Sequence, residues 1–194
     1  MKYWTIQNRK ILNILNTEHV YYPDIEKSDY LQKFKKVNEE LFEDNRSLYR
    51  FITQCSNKIN FCNYPGIIFC FFKSQENMIM PISDEQDFYN LLNEKRNVIQ
   101  SLWKTLSNPD SILLELEFQY EFWNPLFIDI NDYQYLMPPV VTMPPYQEGD
   151  FEKIQQNLML GICRPKFASG IIQGHLPFIN IDMIQNVYEL RFMN

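Results

Sequence analysis

The segment at residues 66–72 places the strongest constraint on the fold of this chain. Its core is an unbroken apolar run, Ile67-Ile68-Phe69-Cys70-Phe71-Phe72, much shorter than the roughly 20 residues that a bilayer span needs. A strand that is apolar on both faces has no side to present to water, so other elements must cover it on both sides. The segment therefore predicts a central strand of a covered sheet.

Short apolar or alternating segments predict further strands. They lie at residues 3–6, 20–22, 78–80 (a hairpin partner of the central strand), 112–118, 171–176 and 187–192. At 112–118 the apolar residues face one way and Glu115 and Glu117 the other, which predicts a half-buried strand.

Apolar residues at helical spacing predict amphipathic helices between the strands. The first pattern consists of Tyr30, Phe34, Val37 and Leu41, and the second follows Asn45 and ends at Ile59. A long helix is predicted after the Ser-x-x-Gln capping box at 83–86, and Asn108-Pro109 ends it. A short helix follows Asp150.

Interspersed helices and strands predict an α+β fold with a mixed, mostly antiparallel sheet packed with amphipathic helices. The 194 residues suit a single domain, since one core typically serves roughly 100–200 residues. Two Met-Pro-Pro copies predict a Pro-rich loop at about 137–149, and the segment after it is too short to hold its own core.

The charge balance disfavours nucleic acid as a ligand, because 24 acidic residues outnumber 18 basic ones. The densest basic cluster, Lys33, Lys35 and Lys36, is followed at once by acidic residues, which is typical of a solvated helix face. No segment predicts a membrane span or a secretory signal.

The rarity of glycine and the spacing of the cysteines exclude several kinds of site. The five glycines form no phosphate-binding loop, and neither a nucleophile elbow nor a His-Glu-x-x-His motif is present. The four cysteines lack the close spacing of a zinc site, so we expect no metal. Their spacing leaves disulfides open, but a reducing cytoplasm is the simpler interpretation.

Gln173 and His175 are the candidates for catalysis, because residues two apart on a strand project from the same face. Histidine is the side chain best suited to proton transfer near neutral pH. The competing interpretation is a half-exposed strand with its polar residues turned outward, and it is favoured by roughly three to one.

Two sets of acidic residues also allow both a functional and a structural interpretation. Glu115 and Glu117 could act as an acid–base pair, but a solvated strand face is the more frequent arrangement. Asp129, Asn131 and Asp132 could gather a hard cation, whereas a tight Asx-rich turn explains them better.

The chain resembles a bacterial family of proteins, domain-of-unknown-function family 3841. The resemblance rests on the opening Trp4-Thr5-Ile6-Gln7, on Tyr64-Pro65-Gly66, on Leu113-Leu114-Glu115-Leu116-Glu117, and on residues 126–137 with Asp129 and Tyr133 at its Asp and Trp positions. Residues 172–173 and 184–187 also fit. The family implies a strand–helix–strand opening and no activity.

A second resemblance is to ADP-ribosyltransferases of the DNA-modifying toxin type. It would put Thr5, Gln7 and Gln173 at comparable places, with His175 where the catalytic Glu stands. That departure implies a catalytically degenerate pocket that holds NAD or another nucleotide around Thr5, Gln7, Gln173 and His175.

Two hypotheses of function follow. The first is a cytoplasmic bacterial or phage protein that binds a protein partner and needs no cofactor. Its predicted contact surface is Trp123, Asp129, Tyr133 and Tyr135, since aromatic residues are enriched at interfaces. The alternative is the NAD- or nucleotide-binding ADP-ribosyltransferase-like protein, for which His175 and Gln173 are the catalytic candidates.

Overall fold

A computed structural model describes residues 1–28, 31–32, 35–36, 38–76, 78–119 and 123–191. Its strands are β1 (Lys2–Asn8), β2 (Val20–Tyr21), β3 (Ile68–Gln75), β4 (Met78–Met80), β5 (Ser111–Glu117), β6 (Phe127–Asp129), β7 (Ile171–Leu176), β8 (Ile179–Asn180) and β9 (Ile184–Glu189). Its helices are α1 (Lys10–Glu18), α2 (Glu39–Ile59), α3 (Glu85–Glu94), α4 (Arg96–Leu106), α5 (Ile130–Leu136) and α6 (Asp150–Met159). Short 3₁₀ turns lie at Ile25–Lys27 and Ile181–Met183.

The strands form a main sheet in the order β6-β7-β3-β1-β5-β9. β4 extends the β1 side of β3, and β2 pairs with β8 in a separate two-stranded sheet. Every described strand pair is antiparallel. The α+β prediction is confirmed, and β3 lies inside the sheet as its apolar run predicts.

One face of the main sheet carries most of the helices, and we call it the helical face. Side chains alternate along a strand, so Trp4, Phe71 and Leu113 point to this face. They pack against buried residues of α2 to α6, among them Ile52 and Phe88. The Trp4 indole also donates to the Ile82 carbonyl at 3.0 Å, which satisfies its only polar group.

The opposite face carries a smaller core. Tyr3, Cys70 and Leu114 point to it and pack against α1 and the β2–β8 sheet. Gly174 of β7 also points this way, and a Cβ on it would lie 2.5 Å from the Phe72 ring. The two cores together cover β3 on both sides.

Several element bounds differ from the sequence predictions. The predicted long helix is two helices that meet at Lys95, and Asp84 rather than Ser83 caps the first by accepting from the Asp87 amide at 2.8 Å. The last strand begins and ends three residues earlier than predicted. The predicted helix with Tyr30, Phe34 and Val37 lies outside the described residues, as do Lys33 and Phe192, while Leu41 belongs to α2.

Two strands that were expected to be half exposed are interior. β5 is buried on both faces from Ser111 to Leu116, and all six residues of β7 are buried. Both strands have a neighbour on each side in the sheet and a core on each face, so no side is left for water. No helix in the described ranges is long and apolar enough to cross a bilayer.

Candidate functional site

The four residues predicted to hold a nucleotide lie on opposite faces of the sheet. Thr5 and Gln7 follow Tyr3 onto the α1 side, where the Gln7 amide donates to the Thr5 hydroxyl at 2.8 Å and that hydroxyl donates to the Phe69 carbonyl at 2.7 Å. Gln173 and His175 pair with Phe71 and Phe69 and point to the helical face. The sheet itself separates the two pairs, so they share no pocket.

His175 is sealed within the protein, with no exposed surface. Its Nδ1 lies 2.7 Å from the Leu126 carbonyl, which can only accept, so Nδ1 carries the proton. Its ring meets Phe69 edge-on at 4.9 Å between centroids. Burial lowers the pKa of His175 to about 4, so the imidazole is neutral at physiological pH.

Other polar atoms on the helical face are also enclosed. The His175 Nε2, the Gln173 Oε1 and the Ser56 hydroxyl are buried with no hydrogen-bond partner among the described residues. Nearby, Tyr133 donates to the Tyr49 hydroxyl at 3.0 Å, and both rings contact Phe69. We call His175, Gln173, Ser56 and Tyr133 the closed polar cluster, because each is at most 3 % exposed, whereas Tyr49 and Phe69 beside them are partly exposed.

Asp129 and Asp132 have structural partners. Asp129 caps α5 by accepting from the Asn131 amide at 2.8 Å, and its other oxygen accepts from the Ser169 amide at 2.9 Å. Asp132 accepts from the Tyr146 hydroxyl at 2.9 Å, which ties the Pro-rich loop to α5. Burial raises the pKa of the Asp132 carboxyl to about 6.

The cavity beside these two carboxylates has a volume of about 10 Å³, on the scale of a single water molecule. In the described part of the chain, no three His, Cys, Asp or Glu side chains are placed to hold a metal ion. The hydrogen bond from the Asn131 amide to Asp129 makes the Asx-rich turn a helix cap.

Glu115 is buried and fully engaged. Its carboxylate pairs with Lys2 at 2.6 Å and accepts from Asn186 at 2.8 Å and Tyr188 at 3.2 Å. Burial disfavours the ionised form, but these partners outweigh it and hold the pKa of Glu115 below its usual value. The carboxylate therefore ties β9 to β1 across β5.

Most of the predicted contact surface lies inside the protein. Asp129, Tyr133 and Tyr135 are buried, and only Trp123 is partly exposed. Tyr135 stacks on Tyr146 with 4.0 Å between ring centroids. The aromatic residues of α5 pack between the sheet and the Pro-rich loop, which explains why they do not reach the surface.

An open cleft of about 320 Å³ lies where the C-terminal end of β5 meets the turn between β8 and β9. We call it the aromatic cleft. Its lining consists of Glu117, Phe118, Gln119, Phe178, Asn180, Asp182, Met183 and Gln185. The Asn180 side chain fixes the turn by accepting from the Asp182 amide at 3.0 Å. The cleft is thus assembled from two separate segments of the chain.

Aromatic rings line and support this cleft. Phe118 and Phe178 meet at 5.7 Å between centroids, and Phe178 in turn contacts Tyr22 and Tyr64. Trp123 packs edge-on against Phe118 at 6.3 Å and donates its indole N–H to the His175 carbonyl at 3.1 Å.

The aromatic cleft has a negative rim. Glu117 and Asp182 line it, and neither has an ion-pair partner among the described residues. Two cationic groups of β1 and its N-terminus already have partners: the Met1 amine donates to the backbone carbonyl of Phe118, a residue of the cleft, and Lys2 pairs with Glu115. No described basic side chain lines the cleft.

Sequence reasoning missed this cleft, because Gln119, Phe178 and Asp182 form no motif. Comparison with known proteins adds no relative: no family model, curated protein or solved structure matches the chain. The chain thus presents an open acidic cleft against the smaller core and, on the helical face of the sheet, a closed polar cluster.

Proposed function

We propose that the protein is a cytoplasmic bacterial or phage protein that acts by binding a protein partner rather than by catalysis. The aromatic cleft is the observation that carries the proposal, because it combines the exposed side chains of Gln119, Asp182 and Gln185 with the partly exposed ring of Phe178. Aromatic residues and Met are enriched in protein interfaces. The titratable side chains singled out from sequence, His175, Asp129 and Glu115, are enclosed and held by structural partners.

The proposal also draws on charge and on the cysteines. A rim of carboxylates repels the phosphates of a nucleic acid, which favours a protein as the partner. The four cysteines are free, and free thiols suit a reducing compartment such as the cytoplasm. The resemblance to domain-of-unknown-function family 3841 stays a prediction alongside this proposal.

The NAD-binding alternative finds less support in the geometry. Its four residues are split between the two faces of the sheet. The aromatic cleft is a poor substitute, because its volume of about 320 Å³ is at the lower end of the roughly 300–1,000 Å³ typical of ligand pockets. Its carboxylates would also oppose a pyrophosphate.

Affinity capture of the full chain from its native host tests the proposal. We expect one protein to be recovered in stoichiometric amount, and Asp182→Lys to reduce its recovery while Asp44→Lys, at an exposed position on α2, does not. Repeated capture without a stoichiometric protein would contradict the proposal.

A thermal-shift measurement tests the alternative in parallel. A ligand at 100 times its dissociation constant stabilises a protein by about 2.7 kcal/mol. A clear rise of the melting temperature with NAD or ADP-ribose would replace partner binding by nucleotide binding. We expect no rise with either compound.

A further inference from the structure

The geometry points to the occupant of the aromatic cleft: an arginine side chain presented by the partner protein. This inference rests on the proposed function and names the chemistry that the partner must carry. Three properties of the cleft support it, namely its charge, its aromatic rings and its hydrogen-bond acceptors.

The negative charge of the cleft favours a cationic ligand. Glu117 and Asp182 contribute two carboxylates, and no described basic side chain lines the same space. Neither carboxylate belongs to an ion pair of the described residues, and the Met1 amine next to the cleft donates to the Phe118 carbonyl, so a cationic ligand would find both carboxylates unpaired. Complementary charge across an interface speeds association and suppresses wrong partners.

The aromatic rings favour a cationic ligand that has a planar or apolar surface. Phe178, which is partly exposed, lines the cleft, and Tyr22, half exposed, extends the ring cluster from it toward solvent, whereas Phe118 in the cleft wall is buried. A guanidinium stacks on aromatic faces and is less strongly hydrated than an ammonium, so it enters such a site at lower cost. A lysine ammonium would lose more hydration for the same contact.

The hydrogen-bond acceptors favour a ligand with several donors. Besides the two carboxylates, the amide oxygens of the exposed Gln119 and Gln185 lie along the rim, whereas that of Asn180 already accepts from the Asp182 amide. A guanidinium carries five N–H donors in a planar fork, which suits carboxylates approached from more than one side. A quaternary ammonium has no such donors. The size of the cleft, about 320 Å³, is sufficient for one large side chain.

An NMR titration of the full chain with N-acetyl-arginine amide tests the inference. We expect saturable shifts of the backbone amides of Gln119, Asp182 and Gln185. N-acetyl-citrulline amide, which has nearly the same shape without the charge, should leave these signals unchanged. N-acetyl-lysine amide and tetramethylammonium should bind several-fold more weakly, and added salt should weaken the arginine interaction.

Paired variants locate the interaction. The double change Glu117→Gln with Asp182→Asn should weaken arginine binding at least about tenfold, because both charge-assisted contacts are lost. The matched control is Glu148→Gln with Asp44→Asn, two exposed carboxylates outside the cleft, which should change the affinity less than about twofold.

Three results would overturn the inference. They are an absence of shifts in the cleft with the arginine probe, equal shifts with citrulline, and lysine or tetramethylammonium binding as tightly as arginine. If one of these results is obtained and the captured protein still binds to the double variant, the arginine inference is wrong and the proposed partner binding stands. If arginine binds in the cleft but no partner protein is captured, the proposed partner binding is wrong. The two failures are therefore distinguishable.

Discussion

The closed polar cluster and the aromatic cleft both place polar groups against aromatic rings, yet they differ in access to water. In the cluster, His175 touches Phe69 and is completely buried, and three polar atoms lack partners. In the cleft, the partly exposed Glu117 and Phe178 and the exposed Asp182 lie at the surface, over the buried Phe118. Access, rather than residue type, therefore determines which of the two regions can meet a ligand.

Replacing the buried imidazole should lower the free energy of unfolding far more than a substitution in the cleft, and this is the largest effect that we expect. His175→Ala leaves a cavity and an unpaired Leu126 carbonyl, so we expect the free energy of unfolding to fall by about 4 kcal/mol. Gln185→Ala in the cleft should change it by less than about 0.5 kcal/mol. Denaturant unfolding of both variants measures these values, and equal losses would contradict the contrast.

The second largest effect is a change of stability with pH that comes from His175 in the closed polar cluster. The pKa of His175 is about 4 in the folded protein, whereas an unperturbed histidine titrates near 6.5. As the pH falls through this window the unfolded state takes up the proton first, so the stability present above about 6.5 is lost toward pH 4. The loss from this residue is up to about 3 kcal/mol.

His175→Asn isolates that contribution, because an asparagine amide can still donate a hydrogen bond but does not titrate. The difference in unfolding free energy between the wild type and His175→Asn should vary between pH 4 and 6.5. A difference that stays constant over this window would show that His175 is not neutral and buried in solution.

The contribution of Asp132 to stability should change with pH in the direction opposite to that of His175. Its folded pKa of about 6 lies above the usual value of an aspartate, so its contribution to stability is greatest at low pH and is lost as the pH rises through 6. Asp132→Asn keeps an acceptor for Tyr146 and removes this loss. We expect about 1–2 kcal/mol of stabilisation at pH 7.5 and little change at pH 4, measured by denaturant unfolding. Destabilisation at both pH values would contradict the expectation.

The smallest effect on stability should come from the cleft rim. Neutralising Glu117 and Asp182 removes none of the ion pairs seen between described residues, so the melting temperature should remain within about 2 °C of the wild-type value. Calorimetry of Glu117→Gln with Asp182→Asn checks this. A large destabilisation would mean that the rim carboxylates support the fold.

The sequence predicted those helices and strands in which the apolar residues follow a clear pattern along the element itself. β3 was predictable because it is apolar on both faces, and α6 because its apolar spacing follows Asp150. The break at Lys95 was not, since apolar positions continue at helical spacing through α3 and α4. β6 and β8, three and two residues long, are too short to show a period.

The candidate site was harder to predict for a different reason. Gln173 and His175 alternate with small or apolar residues as they would in an edge strand, but β7 lies between β6 and β3. Alternation within one strand does not encode its neighbours, so the burial of His175 could not be seen. The aromatic cleft depends on Phe118 meeting Phe178 from a distant segment, and no local pattern carries that contact.

The hydrogen bond from Trp123 to the His175 carbonyl has a practical consequence. Trp123 packs against Phe118 in the cleft wall, whereas Trp4 and Trp103 are buried in the core of the helical face. One indole thus touches both regions through a ring contact and a backbone carbonyl. The protein carries a native fluorophore at this position, and its emission should report occupancy of the cleft without any label.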